Sequence, residues 1–276
     1  MKLRSRIGID VGKRLKIEDA IIWANKNEIS HIDIQLDSGE NLITTLDNDR
    51  CLKIRESLNL NQIKLALHTS SAVNVAEYAP FVSESVDLYL KNYIDISSKL
   101  NAEWIVVHAG YHFTNDIKLR MKEGKARLQR MAEYAEKNNA LILLENLNKE
   151  PEDAEVHYLA NTIEEWKYYW DINSPAFKLS FTANHAHLVN EGIEGFVDSL
   201  DFNDVYEVRL ADCFRNGKEL HLPPGKGDID FGAMFTLIEK RGFKGTYTNA
   251  FGSLQDMLDG REYLVNSAIK SGLNVN

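Results

Sequence analysis

The sequence contains few of the residues that build disulfide frameworks, metal clusters or membrane spans. Among its 276 residues there are two cysteines, Cys51 and Cys213. They lie far apart and lack the spacing of a redox or metal motif, which argues against a disulfide-stapled secreted protein. No apolar stretch is long enough for a signal sequence or a membrane span. We therefore expect a soluble cytoplasmic protein without a membrane partner.

Positive charge is also scarce. The chain has 32 Lys and Arg residues against 41 Asp and Glu residues, which gives a formal net charge of −9. The cationic residues are scattered among acidic ones and form no run. Such a surface repels a phosphate backbone unless a local basic groove overrides it. We therefore expect no nucleic-acid partner.

Short strand-like apolar runs alternate with segments of helical periodicity along the whole chain. The predicted strands cover residues 6–10, 31–36, 63–68, 103–108, 140–145, 177–181, 206–210 and 245–249. The predicted helices cover residues 17–27, 47–58, 82–100, 116–137, 162–171, 191–200, 231–241 and 254–271. Eight such pairs with doubly buried strands predict an α/β fold, a single (β/α)8 TIM barrel. No linker interrupts the pattern, so one domain over residues 1–276 is predicted, with the irregular segment 146–161 as a candidate lid.

Ionisable and polar side chains gather at the predicted strand ends. The residues at or just after such an end are His68, His108, Glu145, His185, Arg209, His221 and Asn249. In a TIM barrel the carboxyl ends of the strands converge on one mouth, where active sites lie. A ring of histidine, glutamate and arginine is costly to desolvate, so packing alone would not select it. The pattern therefore predicts a functional site at this mouth.

Each of these residues, taken alone, also has a structural interpretation. His68 or His108 alone would fit a hydrogen-bonded core histidine, whereas Glu145 is harder to explain because a buried carboxylate needs a partner. His187 is expected to be structural and to point away from its neighbour if the segment is extended. Cys213 is expected to be a small loop hydrophobe rather than a nucleophile. Surface or loop positions are expected for three further histidines: His31, His112 and His157.

The motifs, in this order, resemble the xylose isomerase-like TIM barrel superfamily. That group includes sugar-phosphate isomerases and epimerases, dehydratases and the AP endonucleases of the endonuclease IV type. The matching segments span the whole chain: LALH, VVHAG, ILLENL, FTANHAHL, VRLAD, HLPPGKGDIDF and GFKGTYTNAF. The resemblance implies one divalent metal held by a Glu, an Asp, a His and a second Glu. Glu145 matches the first ligand, but Thr182, Arg209 and Asn249 stand where the other three are usual.

Two interpretations of the metal therefore stay open. In the first, the metal has moved to His68, His108 and Glu145, a set that binds Zn, Mn or Fe and resembles one zinc environment of the endonuclease relatives. In the second, no metal is bound, and Arg209 stabilises an enolate oxygen or grips a carboxylate or phosphate. Another zinc environment of those relatives resembles three further residues: His185, His221 and Glu219.

The resemblance implies a sugar isomerase/epimerase-like enzyme that abstracts a proton next to a carbonyl on a small sugar, sugar acid or keto-polyol. The candidate catalytic residues are Glu145, His185 and Arg209. The candidate substrate-binding residues are Arg215, His185, Asn249, His221 and Asp212. Because Asn249 replaces the second glutamate of a two-base epimerase, a dehydratase or lyase is an alternative. A non-catalytic ligand-binding or accessory barrel is another, and a homo-oligomer is left open.

Overall fold

The computed structural model describes residues 2–215 and 218–275. Within them, eight parallel strands close into a barrel in the order β1, β2, β3, β4, β6, β8, β9, β10. Their bounds are β1 Ile7–Gly12, β2 His31–Ile34, β3 Lys64–His68, β4 Trp104–Val107, β6 Ile142–Glu145, β8 Phe177–Thr182, β9 Val205–Leu210 and β10 Thr246–Asn249. The predicted (β/α)8 TIM barrel is thereby confirmed, whereas the single domain over residues 1–276 stays a prediction.

Helices surround this barrel. Their bounds are α1 Leu3–Arg6, α2 Ile17–Lys26, α3 Asn48–Asn61, α4 Val82–Leu100, α5 Ile117–Lys137, α6 Ile163–Trp170, α7 Ala183–His187, α8 Gly192–Ser199, α9 Phe231–Lys240 and α10 Leu254–Lys270. Two 3₁₀ turns, Gly39–Asn41 and Ile43–Thr45, lie between β2 and α3. None of the helices in the described part of the chain combines the length and apolar character that a membrane span requires.

A small antiparallel sheet joins the loops that follow β4 and β6. Its strands are β5 Tyr111–His112 and β7 His157–Tyr158, with His112 opposite His157. The Leu159 N–H also donates to the Gly110 carbonyl at 2.9 Å. Part of the segment expected to be irregular is therefore ordered as a strand, and it brings Tyr158 to the wall of the barrel mouth.

The barrel has an apolar exterior and an unusually polar interior. The large core cluster packs between strands and helices, whereas the small second cluster consists of Ala66, Trp104, Val106 and Leu143. Branched apolar side chains usually fill a TIM barrel. Here the buried interior also carries acidic side chains, among them Asp33 and Glu207, both fully buried. Charged side chains therefore lie inside the barrel as well as at its mouth.

The structure corrects two expectations about histidines. His31 is 1% exposed and its ring stacks on Trp104 at 4.9 Å between ring centroids, so it is not a surface residue. His112 is also buried. The segment around His187 is helical rather than extended, because it forms α7. His187 nevertheless has the expected structural role, since its Nε2 lies 2.6 Å from Asp228 Oδ1.

Candidate active site

A cavity of about 250 Å3 opens at the carboxyl ends of the barrel strands. His68 and Glu145 are the last residues of β3 and β6, and His108 directly follows β4. The sequence-predicted residues that line the cavity are His68, His108, Glu145, His185, Arg209, Glu219 and His221. The βα architecture therefore brings together seven side chains that are spread over more than half of the chain.

The first group of side chains converges on one point. His68 Nε2 lies 3.0 Å from His108 Nε2, and Glu145 Oε2 lies 3.4 Å and 3.2 Å from those two atoms. All three residues are buried, and their ligand atoms could hold one metal ion. Ligand atoms around a tetrahedral ion, at about 2.1 Å from it, lie about 3.4 Å apart. The separations therefore fit a two-histidine, one-carboxylate metal site.

The surroundings shift the pKa values of these three residues in different directions. Burial would raise the pKa of Glu145, but hydrogen bonds from His108 and His68 and the nearby cations hold it well below its usual value. Burial and the charge of Arg209 oppose protonation of His68, yet contacts with Asp33 and Glu145 raise its pKa to about 10. Burial lowers the pKa of His108. Glu145 is therefore ionised at neutral pH.

The two carboxylate oxygens of Glu145 have different partners. Oε2 faces the two histidines, whereas Oε1 accepts a hydrogen bond from the Thr182 hydroxyl. Oε1 also lies 3.9 Å from Arg209 Nε and 3.8 Å from His185 Nδ1. Thr182, which replaces an acidic residue of the resembled pattern, therefore fixes the carboxylate without adding a negative charge.

A second group lies on the same cavity. His185 Nδ1 is 2.8 Å from the Asn146 carbonyl, and His221 Nδ1 is 2.6 Å from the Ala250 carbonyl. Because a carbonyl only accepts, each Nδ1 carries a proton, and each Nε2 faces Glu219. The distances to Glu219 Oε1 are 3.7 Å for His185 and 2.6 Å for His221. Burial opposes ionisation of Glu219, but its contacts with the two histidines lower its pKa to about 2.

Arg209 crosses the barrel interior and is almost surrounded by carboxylates. Its Nη2 lies 2.8 Å from Asp10 Oδ2, and its Nη1 lies 2.5 Å from Asp33 Oδ2 and 3.3 Å from Glu207 Oε1. Burial opposes its charge, but these acids and Glu145 raise the pKa of Arg209 well above its usual value. Its donors serve acids of the protein, so the structure does not show them free to grip a substrate anion.

Asp10, Asp33 and Glu207 were not among the residues predicted from the sequence. One signal was available for Asp33, because His31 and Asp33 occupy alternate positions of a strand that the fold buries on both faces. Burial and the nearby Asp33 raise the pKa of Asp10, and burial likewise raises that of Glu207. Four carboxylates thus share one permanent cation, since Glu145 also faces Arg209.

Three residues expected to contact substrate lie elsewhere. Arg215 donates through Nη2 to the Asn190 carbonyl at 2.8 Å and lines a separate groove. The Asp212 carboxylate accepts backbone N–H groups, including those of Gly225 at 2.8 Å and Gly227 at 2.9 Å, so it anchors the loop. Asn249 is fully buried and donates to the Met257 carbonyl at 3.0 Å. Tertiary hydrogen bonds therefore direct all three side chains away from the cavity.

Comparison with known proteins gives a consistent picture of the fold. A family model described as "Xylose isomerase-like TIM barrel" matches residues 23–264. A D-tagatose 3-epimerase-like protein is similar with a TM-score of 0.82 and 19% identity, over 99% of this chain and 98% of that chain. The D-psicose 3-epimerase of Clostridium cellulolyticum H10 gives 0.78 and 15%, over 98% and 99%. An L-ribulose 3-epimerase gives 0.77 and 14%, over 97% and 96%. No curated protein matches the sequence.

Proposed function

The chain belongs to the xylose isomerase-like TIM barrel family, and from this premise we propose that it is a sugar isomerase/epimerase-like enzyme. It would act by proton abstraction next to a carbonyl of a small sugar, sugar acid or keto-polyol. The observation that carries the proposal is the position of the Glu145 carboxylate. This carboxylate is 3% exposed, ends a barrel strand and faces two histidine Nε2 atoms in the polar cavity at the barrel mouth.

The lining of the cavity suits a polyhydroxylated ligand. Besides the ionisable groups, the wall presents hydroxyl and amide side chains: Gln35, Thr69, Ser71, Asn148, Tyr158 and Asn184. Such groups hydrogen-bond to the hydroxyls of a substrate and fix its orientation. The volume of about 250 Å3 restricts the ligand to a small molecule. The 3-epimerases of D-tagatose, D-psicose and L-ribulose among the similar structures make free ketoses the first substrates to test.

Three residues would hold a divalent metal in this proposal: His68, His108 and Glu145. The ion, when bound, supplies Lewis-acid polarisation of a substrate carbonyl or hydroxyl. Glu145 Oε1 is the oxygen left for proton transfer, and its ionised state makes it an acceptor at neutral pH. A carboxylate is a weak base, so the substrate C–H bond must be acidified by polarisation of the neighbouring carbonyl. The Arg209 donors already bind Asp10, Asp33 and Glu207, which favours the metal-bound interpretation over the metal-free one.

Epimerisation differs from the alternatives because it needs a second acid–base group on the opposite face of the reacting carbon. Asn249 has an amide where a two-base epimerase has a carboxylate, and this amide donates to the Met257 carbonyl and does not line the cavity. Glu219 and His221 line the same cavity and form a close acid–base pair. If that pair serves the second face of the reacting carbon, the chain epimerises. If it does not, aldose–ketose isomerisation or β-elimination uses Glu145 alone, so a dehydratase or lyase is the second candidate.

The proposal is tested by assaying D-psicose, D-tagatose, L-ribulose and a set of sugar acids with Zn2+ or Mn2+. We expect Glu145→Gln to fold and to lose turnover. Glu207→Gln serves as the matched control, because Glu207 is also a buried acid of the barrel but does not line the cavity. Abasic-site DNA should stay intact. Full activity of Glu145→Gln would refute the role of this residue, and an inert wild-type chain that binds ketoses would indicate a binding protein.

A further inference from the structure

Asp33 lies directly behind the metal-binding histidine of β3. Its carboxylate is fully buried, and its Oδ2 is 3.4 Å from His68 Nδ1. Among residues 2–215 and 218–275, no hydrogen bond of normal geometry reaches His68 Nδ1. The opposite ring nitrogen, Nε2, faces His108 and Glu145. The imidazole is therefore held between one carboxylate behind it and the candidate ligands in front.

Arg209 fixes the position of this carboxylate. Its Nη1 is 2.5 Å from Asp33 Oδ2, the same oxygen that faces His68. Its Nη2 is bonded to Asp10 on β1, so the guanidinium spans β9, β1 and β2 and has little freedom to move. His108 differs, because the carboxylate contact that it makes in the described part of the chain is through Nε2, to Glu145, and no carboxylate there faces its Nδ1. The support is therefore specific to one of the two histidines.

We propose that Asp33 is a positioning residue for the metal ligand His68, and that Arg209 anchors Asp33 in that role. A histidine that ligates through Nε2 commonly donates its Nδ1 proton to a carboxylate, which sets the tautomer and the ring orientation. The Asp33 carboxylate, held by Arg209, lies 3.4 Å from His68 Nδ1 and is placed to accept this proton when the ion is bound. The inference rests on the proposed metal site and deepens it.

A purely structural role for Asp33, as one counterion of Arg209, makes a different prediction. Glu207 is the appropriate comparison because it is also fully buried and lies 3.3 Å from the same Nη1 atom. Its carboxylate also accepts from the Ser180 and Thr248 hydroxyls, and no contact joins it to His68. If Asp33 acted only through Arg209, neutralising either acid would have a similar effect on metal binding.

The experiment is a Co2+ titration of the metal-free chain, followed by the visible absorption of the bound ion. Wild type, Asp33→Asn and Glu207→Gln are compared, after circular dichroism has shown that each is folded. We expect Asp33→Asn to weaken Co2+ binding by about 10–100-fold and to alter the spectrum. Glu207→Gln should leave both nearly unchanged. Asp33→Asn is expected to fold, since Arg209 keeps Asp10 and Glu207 as partners.

The other outcomes would overturn either the positioning role of Asp33 or the metal site itself. Equal weakening in the two variants, or unchanged binding in Asp33→Asn, would overturn the positioning role while the metal site stands. A wild-type chain that binds no Co2+ would overturn the metal site and this inference together. If Asp33→Asn does not fold, ¹⁵N-histidine NMR spectra of the Zn2+-loaded wild type test the positioning role instead, because they show which ring nitrogen of His68 is protonated. His68, identified by its loss in His68→Gln, must be protonated at Nδ1, and metal ligation through Nδ1 would refute the proposal.

Discussion

Replacement of Arg209 by methionine gives a direct test of the charge balance inside the barrel. Methionine has a similar length and no charge, so Asp10, Asp33 and Glu207 would lose their common partner. Removing one member of a buried ion pair costs about 3–5 kcal/mol, because the remaining charge is left uncompensated. Globular proteins are stable by only about 5–15 kcal/mol, so Arg209→Met should lose a large part of that stability.

The cause of this loss can be isolated with Asp33→Asn. In the wild-type background this variant removes a partner of Arg209 and should be destabilising. In the Arg209→Met background Asp33 has lost the guanidinium and keeps only its contact with His68, so the same change should be much less destabilising. Such a dependence of one substitution's effect on the other is the signature of direct coupling in a double-mutant cycle.

Urea unfolding followed by tryptophan fluorescence measures the four chains in a buffer with chelator, which keeps metal binding out of the comparison. Arg6→Met is the matched control. Arg6 is also buried, but the carboxylate that it pairs with in the described part of the chain, Glu239, is partly exposed at 23%, so less buried charge is left uncompensated and the cost should be smaller. The reasoning would be refuted if Arg209→Met lost less than about 1 kcal/mol. Additive effects of Arg209→Met and Asp33→Asn would refute it equally.

Three further results are expected. Burial lowers the pKa of His31 to about 4 from 6.5, so its stabilising contribution is fully present above pH 6.5 and is lost as pH falls towards 4. That loss is about 3 kcal/mol, and urea unfolding at several pH values should show it in wild type but not in His31→Phe; equal pH slopes would contradict it. Gly227→Ala should destabilise the chain by about 1–3 kcal/mol in the same assay, because the overpacked loop must shift. The added Cβ at position 227 would lie 2.3 Å from the Cys213 carbonyl oxygen. Unchanged stability would contradict the prediction, because it would show that the loop can shift without cost. Elemental mass spectrometry should find that a His68/His108 double glutamine variant has lost bound metal, and equal metal content would refute the first site.

The barrel could be predicted from the sequence because its local signals are strong. The helix predicted over 82–100 coincides with α4, and the strand predicted over 140–145 contains β6 at residues 142–145. The short pair of strands β5 and β7 was missed, because two-residue strands have no periodicity. The helical turn of α7 was missed for a similar reason, since five residues do not define a helical face.

The candidate site was only partly predictable. Residues at strand ends converge by the rule of the fold, which is why His68, His108 and Glu145 could be grouped. Asp10 and Asp33 meet Arg209 from strands that are distant in sequence, and these contacts exist only through the strand order of the closed barrel. Conversely, Arg215 is close in sequence to the site but bonded elsewhere, and sequence proximity does not report the direction of a side chain.

The ionic cluster inside the barrel also bears on how the chain reaches its folded state. Arg209 is separated by 176 residues from Asp33 and by 199 residues from Asp10. Until β9 docks, the amino-terminal strands must bring acidic side chains together without their cation, which disfavours a half-formed barrel. Contacts of such long range also slow folding, because the loop must close before they form. The arrangement thus favours cooperative assembly of the barrel, and a fragment that ends before β9 lacks the cation that pairs with Asp10 and Asp33.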